Sequence, residues 1–88
     1  MKKTMRQKFK ELRKYDIRKN IYPNFLRYAR DEIQNNYYNG IVTVRYDLAY
    51  EPVVWLVAYK LIGEGYKCSI RKSYMNLFEI ELKIDWRG

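Results

Sequence analysis

The sequence predicts an α+β domain with the element order α-α-β-α-β-β. Its three-stranded sheet is expected in the order 1-3-2, with the helices packed on one face. Three patterns predict it. Phe78, Ile80, Leu82, Ile84 and Trp86 alternate strictly with Glu79, Glu81, Lys83 and Asp85, which is a strand with one dry and one wet face. Residues 53–59 are almost continuously apolar, with Pro52 before them and Gly63 and Gly65 after, which suits a buried helix. Two earlier segments carry apolar residues at helical spacing. A length of 88 residues bounds the chain to a single domain, 1–88, with a basic N-terminal helix in 1–20 and an α+β body in 21–88.

The first helix is expected over residues 4–15. Met5, Phe9 and Leu12 make its apolar stripe, and Thr4 can cap its start. A second helix is expected from Pro23 or Asn24. Proline fits a first turn, where its missing N–H would have no partner. Leu26, Ala29 and Ile33 form the stripe of this helix, flanked by Phe25 and Tyr37. Asn35-Asn36-Tyr37-Tyr38-Asn39-Gly40 ends it, with Asn39-Gly40 a good turn pair because both residues tolerate positive φ. Residues 41–47 are rich in β-branched side chains and read as the first strand. The helix over 52–62 follows; propensity alone would also allow strand there, and length and flanking residues favour helix.

Tyr66, Cys68 and Ile70 alternate with Lys67, Ser69 and Arg71. A turn around Met75-Asn76 would fold this strand against 78–86 as a hairpin, with the long strand central. Cys68 then points inward as a packing residue, and Trp55 and Trp86 read as core anchors, with Trp86 half exposed.

One resemblance accompanies this reading. The short strand 41–44, the apolar helix 53–62, the Gly65-Tyr66 step and the hairpin ending at Ile84-Asp85-Trp86 resemble a pattern in small phage-encoded α+β proteins. It covers residues 40–86. It implies a phage or mobile-element accessory protein and assigns no site residues.

Charge is unevenly distributed. Residues 1–30 hold eleven Lys or Arg against Glu11 and Asp16, a net +9, while residues 31–88 are net −1. A basic end on a neutral body favours polyanions or an acidic protein face. Arg6, Lys10, Arg13 and Lys14 are expected along one side of the first helix, within reach of successive phosphates. Lys2, Lys3, Arg18 and Lys19 extend that field, and Arg27 and Arg30 on the second helix would widen it. Tyr15, Tyr22 and Tyr28 lie among these bases; each is placed either to stack on a nucleobase or, more simply, to fill a helix seam. The Glu79 and Glu81 face is read as charge-balanced against Lys83, Arg71 and Lys67.

Catalytic chemistry is thinly represented. The chain has no His and a single Cys, so it lacks the usual neutral-pH base and cannot build a structural zinc site or an internal disulfide. No phosphate-cradling glycine loop occurs. The expectation is therefore a non-enzymatic protein with no cofactor or metal. Its N-terminus lacks the apolar stretch of a signal peptide, and the lone cysteine suits a reducing cytoplasm. The leading expectation is a nucleic-acid-binding accessory protein, contacting DNA or RNA. The alternative is a protein-interaction module, such as a phage inhibitor that sets its basic face on an acidic groove of a host enzyme.

Overall fold

The computed structural model describes residues 20–87. The helix expected over 4–15 lies outside them. The described chain runs α1 (Tyr22–Asn35), a 3-10 turn (Tyr37–Asn39), β1 (Ile41–Asp47), a second 3-10 turn (Leu48–Tyr50), α2 (Glu51–Gly63), β2 (Lys67–Lys72) and β3 (Glu79–Asp85). β3 sits between β1 and β2 and is antiparallel to both, giving the expected order β1-β3-β2. β1 and β2 therefore point the same way along opposite edges. A crossover is needed to join them, and α2 supplies it.

The register stacks three rows of side chains on the inner face. They are Val42–Ile84–Cys68, Val44–Leu82–Ile70 and Tyr46–Ile80–Lys72. Val44, Ile80, Leu82 and Ile84 are buried, and α1 adds Ala29 and Ile33 to the same core. Full burial of one such aliphatic side chain is worth about 1.5–3 kcal/mol. Cys68 lies half-buried against this core, as its strand parity predicts, and burial pushes its thiol up to about 11.

α2 buries Pro52, Val53, Val54, Val57, Ala58 and Leu61. A stretch so apolar has to be enclosed, and it packs against both α1 and the sheet. Its C-terminus closes in a Schellman arrangement. The Tyr66 N–H donates to the Leu61 carbonyl at 3.1 Å and the Gly65 N–H to the Ile62 carbonyl at 3.0 Å, with Gly65 at φ +102°.

α1 begins one residue before Pro23, which occupies the first turn. It ends at Asn36, whose backbone N–H and side-chain amide both reach the Glu32 carbonyl. Gly40 then turns the chain into β1 at φ +78°. The Trp86 backbone N–H donates to the Gly40 carbonyl at 2.9 Å, and its indole N–H donates to the Tyr37 carbonyl at 3.0 Å. These bonds clip the end of β3 to the start of β1.

Two expectations need correction. Phe78 is not on the buried face of the long strand; it precedes β3 and is 79% exposed. The reason is the connection from β2, which is a six-residue loop rather than a tight turn at Met75-Asn76. The buried Ser73 hydroxyl accepts the Met75 and Asn76 N–H groups, both at 3.2 Å, and the Asn76 side chain accepts the Phe78 N–H at 2.9 Å. The loop thus reaches Phe78 before the ladder starts. Trp55 is the second correction: it is half-buried at the helix surface, with its indole N–H 3.4 Å from a Glu51 carboxylate oxygen, rather than central to the core. Trp86 is half-buried as expected, edge-on to Tyr66. Among the described residues no helix is long and apolar enough to cross a membrane.

Candidate polyanion-binding face

The helices cover one face of the sheet. No described element covers the other, and strand parity sends the charged residues there. Three successive rows cross this open face. Arg45, Glu81 and Arg71 form the first, Thr43, Lys83 and Ser69 the second, and Ile41, Asp85 and Lys67 the third. Rows two residues apart lie about 6.8 Å from one another along the strands.

Glu81 is central to the first row. Arg71 Nε donates to one of its carboxylate oxygens at 2.8 Å, and Arg45 Nε approaches the other at 3.3 Å. The two guanidinium groups cover Glu81, which is only 7% exposed although it lies on the open face. The hydrogen bond from Arg71, followed by that from Arg45, holds its carboxyl below the usual carboxylate range. One acid against two arginines leaves a surplus positive charge.

In the third row, Asp85 accepts from the Arg87 backbone N–H at 2.9 Å and from its guanidinium at 2.9 and 3.2 Å. Those bonds push the Asp85 carboxyl down to about 2, with the nearby Lys67 ammonium adding a smaller electrostatic pull. Asp85 faces Lys67 and Arg87 together, so this row also ends with one positive charge in surplus. Among the described residues Lys83 of the middle row has no hydrogen-bond or ion-pair partner, and neither do the hydroxyls of Thr43 and Ser69 beside it. A shallow depression lined by Thr43, Ser69, Arg71, Glu81 and Lys83 opens on one side of Lys83. A second, lined by Lys67, Cys68, Ser69, Lys83 and Asp85, opens on the other. Each of the three rows therefore presents one net positive charge. Beyond the first row Asp47 faces Glu79, and no described cation offsets them, so the face is acidic at that end.

Of the cations singled out from the sequence, Lys2, Lys3, Arg6, Lys10, Arg13, Lys14, Arg18 and Lys19 lie outside the described residues. Arg27 and Arg30 lie on α1 and are exposed. Arg27 donates to the Asn24 side chain at 2.6 Å. Arg30 is held by Glu64 in a two-pronged pair, both bonds at 2.8 Å. The charge of Arg30 is thus offset within the molecule, which weakens its claim as a contact residue. Lys60 also approaches Glu64, at 3.7 Å. Tyr22 packs against the core, and Tyr28 sits edge-on to Tyr46 while remaining 46% exposed. Tyr22 follows the packing reading, whereas Tyr28 meets a strand residue and stays exposed.

The sequence reading did not single out Arg45, Thr43, Lys67, Ser69, Arg71 and Lys83 as a site. Parity alone puts Lys83 on the wet face of its strand. The clue that it stands unpaired needs the register, which sets Glu81 rather than Lys83 beside both arginines.

A second exposed feature is the loop between β2 and β3. Tyr74, Met75, Leu77 and Phe78 are 79–94% exposed on it. Compared with known protein families, with curated proteins and with solved structures, the chain matches none of them.

Proposed function

We propose that this protein is a small, non-enzymatic nucleic-acid-binding accessory protein that works by contacting phosphates. The observation that carries this reading is the charge partition, a net +9 in residues 1–30 joined to a body of net −1. Self-repulsion on that scale destabilises a compact chain unless a partner neutralises it. Lys2, Lys3, Arg6, Lys10, Arg13, Lys14, Arg18 and Lys19 are the proposed contacts, with Arg27 beside them and Arg30 restrained by Glu64. The surplus cations of the open sheet face support the same reading from a second surface. A phage or mobile-element origin belongs to it on the strength of the resemblance over residues 40–86, and the host cytoplasm is its proposed location.

Binding of this kind weakens steeply with salt and discriminates little among sequences. Replacing Arg6, Lys10 and Arg13 together with Glu is expected to abolish binding to DNA and RNA while circular dichroism stays unchanged. A triple variant that binds as well as the parent overturns the proposal.

The exposed loop favours a second reading, a protein-interaction module such as an inhibitor of a host enzyme. Four large apolar side chains held outward on a hydrogen-bonded loop suit a protein contact more than a phosphate contact. Recovery of a stoichiometric protein partner that survives nuclease treatment would favour it, and loss of all recovered material on nuclease treatment would favour nucleic acid.

A further inference from the structure

We infer that the Thr43–Lys83–Ser69 row is a phosphate seat, and that the open sheet face lies along the phosphodiester backbone of a nucleic-acid duplex. The inference rests on the nucleic-acid reading above and assigns it a second contact surface, separate from the N-terminal cations.

The middle row is distinctive because it is unspent. Arg45 and Arg71 are committed to Glu81, and Arg87 to Asp85, whereas the Lys83 ammonium has no partner among the described residues. Two free hydroxyls stand directly opposite it, one on each neighbouring strand. An ammonium between two hydroxyl donors matches a tetrahedral phosphate, which offers several acceptor oxygens and one negative charge. The flanking rows contribute one surplus positive charge each, so phosphates on either side meet attraction too. The Asp47 and Glu79 end repels them and limits the contact to these three rows.

The outward residues of the sheet also indicate the kind of nucleic acid. The outward-facing positions of β1, β2 and β3 include no aromatic side chain. Sheets that grip single strands present aromatic platforms for unstacked bases. The three cationic rows offer ammonium, guanidinium and hydroxyl groups and no aromatic ring, which suits a backbone whose bases stay paired.

The test separates charge from hydrogen bonding. Affinity for a blunt duplex of mixed sequence is measured against salt for the parent, Lys83→Met, Lys83→Arg and the double variant Thr43→Val with Ser69→Ala. One lost phosphate contact lowers the slope of log affinity on log salt by about 0.9. Lys83→Met is expected to show that loss, and Lys83→Arg to keep the parental slope. The hydroxyl double variant is expected to bind several-fold more weakly at an unchanged slope, because hydroxyls release no counterions. Thermal melts verify folding, and Lys83 is exposed enough for these changes to leave it intact. If the parent binds and Lys83→Met keeps the full slope, the seat is wrong while the nucleic-acid reading stands. Tighter, Lys83-dependent binding to a single strand of the same length overturns the duplex assignment. If the parent binds no nucleic acid, the broader reading fails first.

Discussion

At the scale of single residues, Tyr46 shows how the core of this small domain is tied together. Its ring stacks on Phe25 at 4.6 Å and meets Tyr28 edge-on at 5.7 Å. Its hydroxyl donates to the Phe25 carbonyl at 2.7 Å, a bond between β1 and α1 that spans 21 residues of sequence. Burial raises the phenol well above its ordinary value, so this bond keeps its proton far into the alkaline range. Tyr46→Phe leaves the ring in place and removes the hydroxyl's bond to a carbonyl that lies inside α1, where the helix supplies its own donor. The expected cost is about 0.5–1.5 kcal/mol, read from urea unfolding with an unchanged m-value. A loss within experimental error would show that this bond between β1 and α1 adds no net stability. Tyr46 had no sequence signature beyond its place in a strand. Parity put it on one of two faces, but its partner Phe25 is reached only through tertiary packing.

At the scale of elements, the turn at Gly40 joins α1, β1 and the end of β3. Its φ of +78° is one that side-chain-bearing residues adopt at a cost. A Cβ there would also lie 2.5 Å from Arg87 Cγ. Gly40→Ala is therefore expected to destabilise by about 1–2 kcal/mol from the backbone alone, with the contact adding to it. Combining it with Arg87→Ala removes the contact and leaves the backbone cost. The double variant should then be less destabilised than the two single effects summed, in a denaturant-based double-mutant cycle. This turn was legible in the sequence, since Asn39-Gly40 between a helical and a strand pattern has few other uses. So were β3, by strict alternation, and α2, by length and its glycine stop. The loop 73–78 was less so. Phe78 keeps the period of the strand, and only the hydrogen bonds of Ser73 and Asn76 show that the chain is still turning there. The open-face site was harder still, because Lys83 and Arg71 look alike in sequence. What separates them is which one stands across from Glu81, and that is a property of register.

At the scale of the whole molecule, electrostatics opposes compactness at neutral pH and does so more strongly in acid. The chain carries a formal +8 at pH 7, and protonating its carboxylates raises that figure. The same protonation dissolves the pairs that organise the open face and join α1 to the end of α2. Asp85 titrates near 2 in the folded protein against an ordinary 3.8, and Glu81 and Glu64 are both held below their ordinary 4.5 by arginine hydrogen bonds. Folded values below unfolded ones mean that the unfolded chain binds protons first as pH falls. The stabilisation is therefore complete above about pH 4.5 and is lost progressively as pH drops from there toward 2. Pair loss and growing repulsion act in the same direction, so the melting temperature should decline steeply across that window and change little between pH 5 and 7. Asp85→Asn removes one contributor: its melting temperature should be lower than the parent's at pH 6, and the gap should close by pH 2. A gap that persists undiminished at pH 2 would mean that Asp85 acts through packing rather than charge. Added salt at pH 3 should recover part of the lost stability, because screening relieves repulsion among cations that no longer have carboxylates to meet.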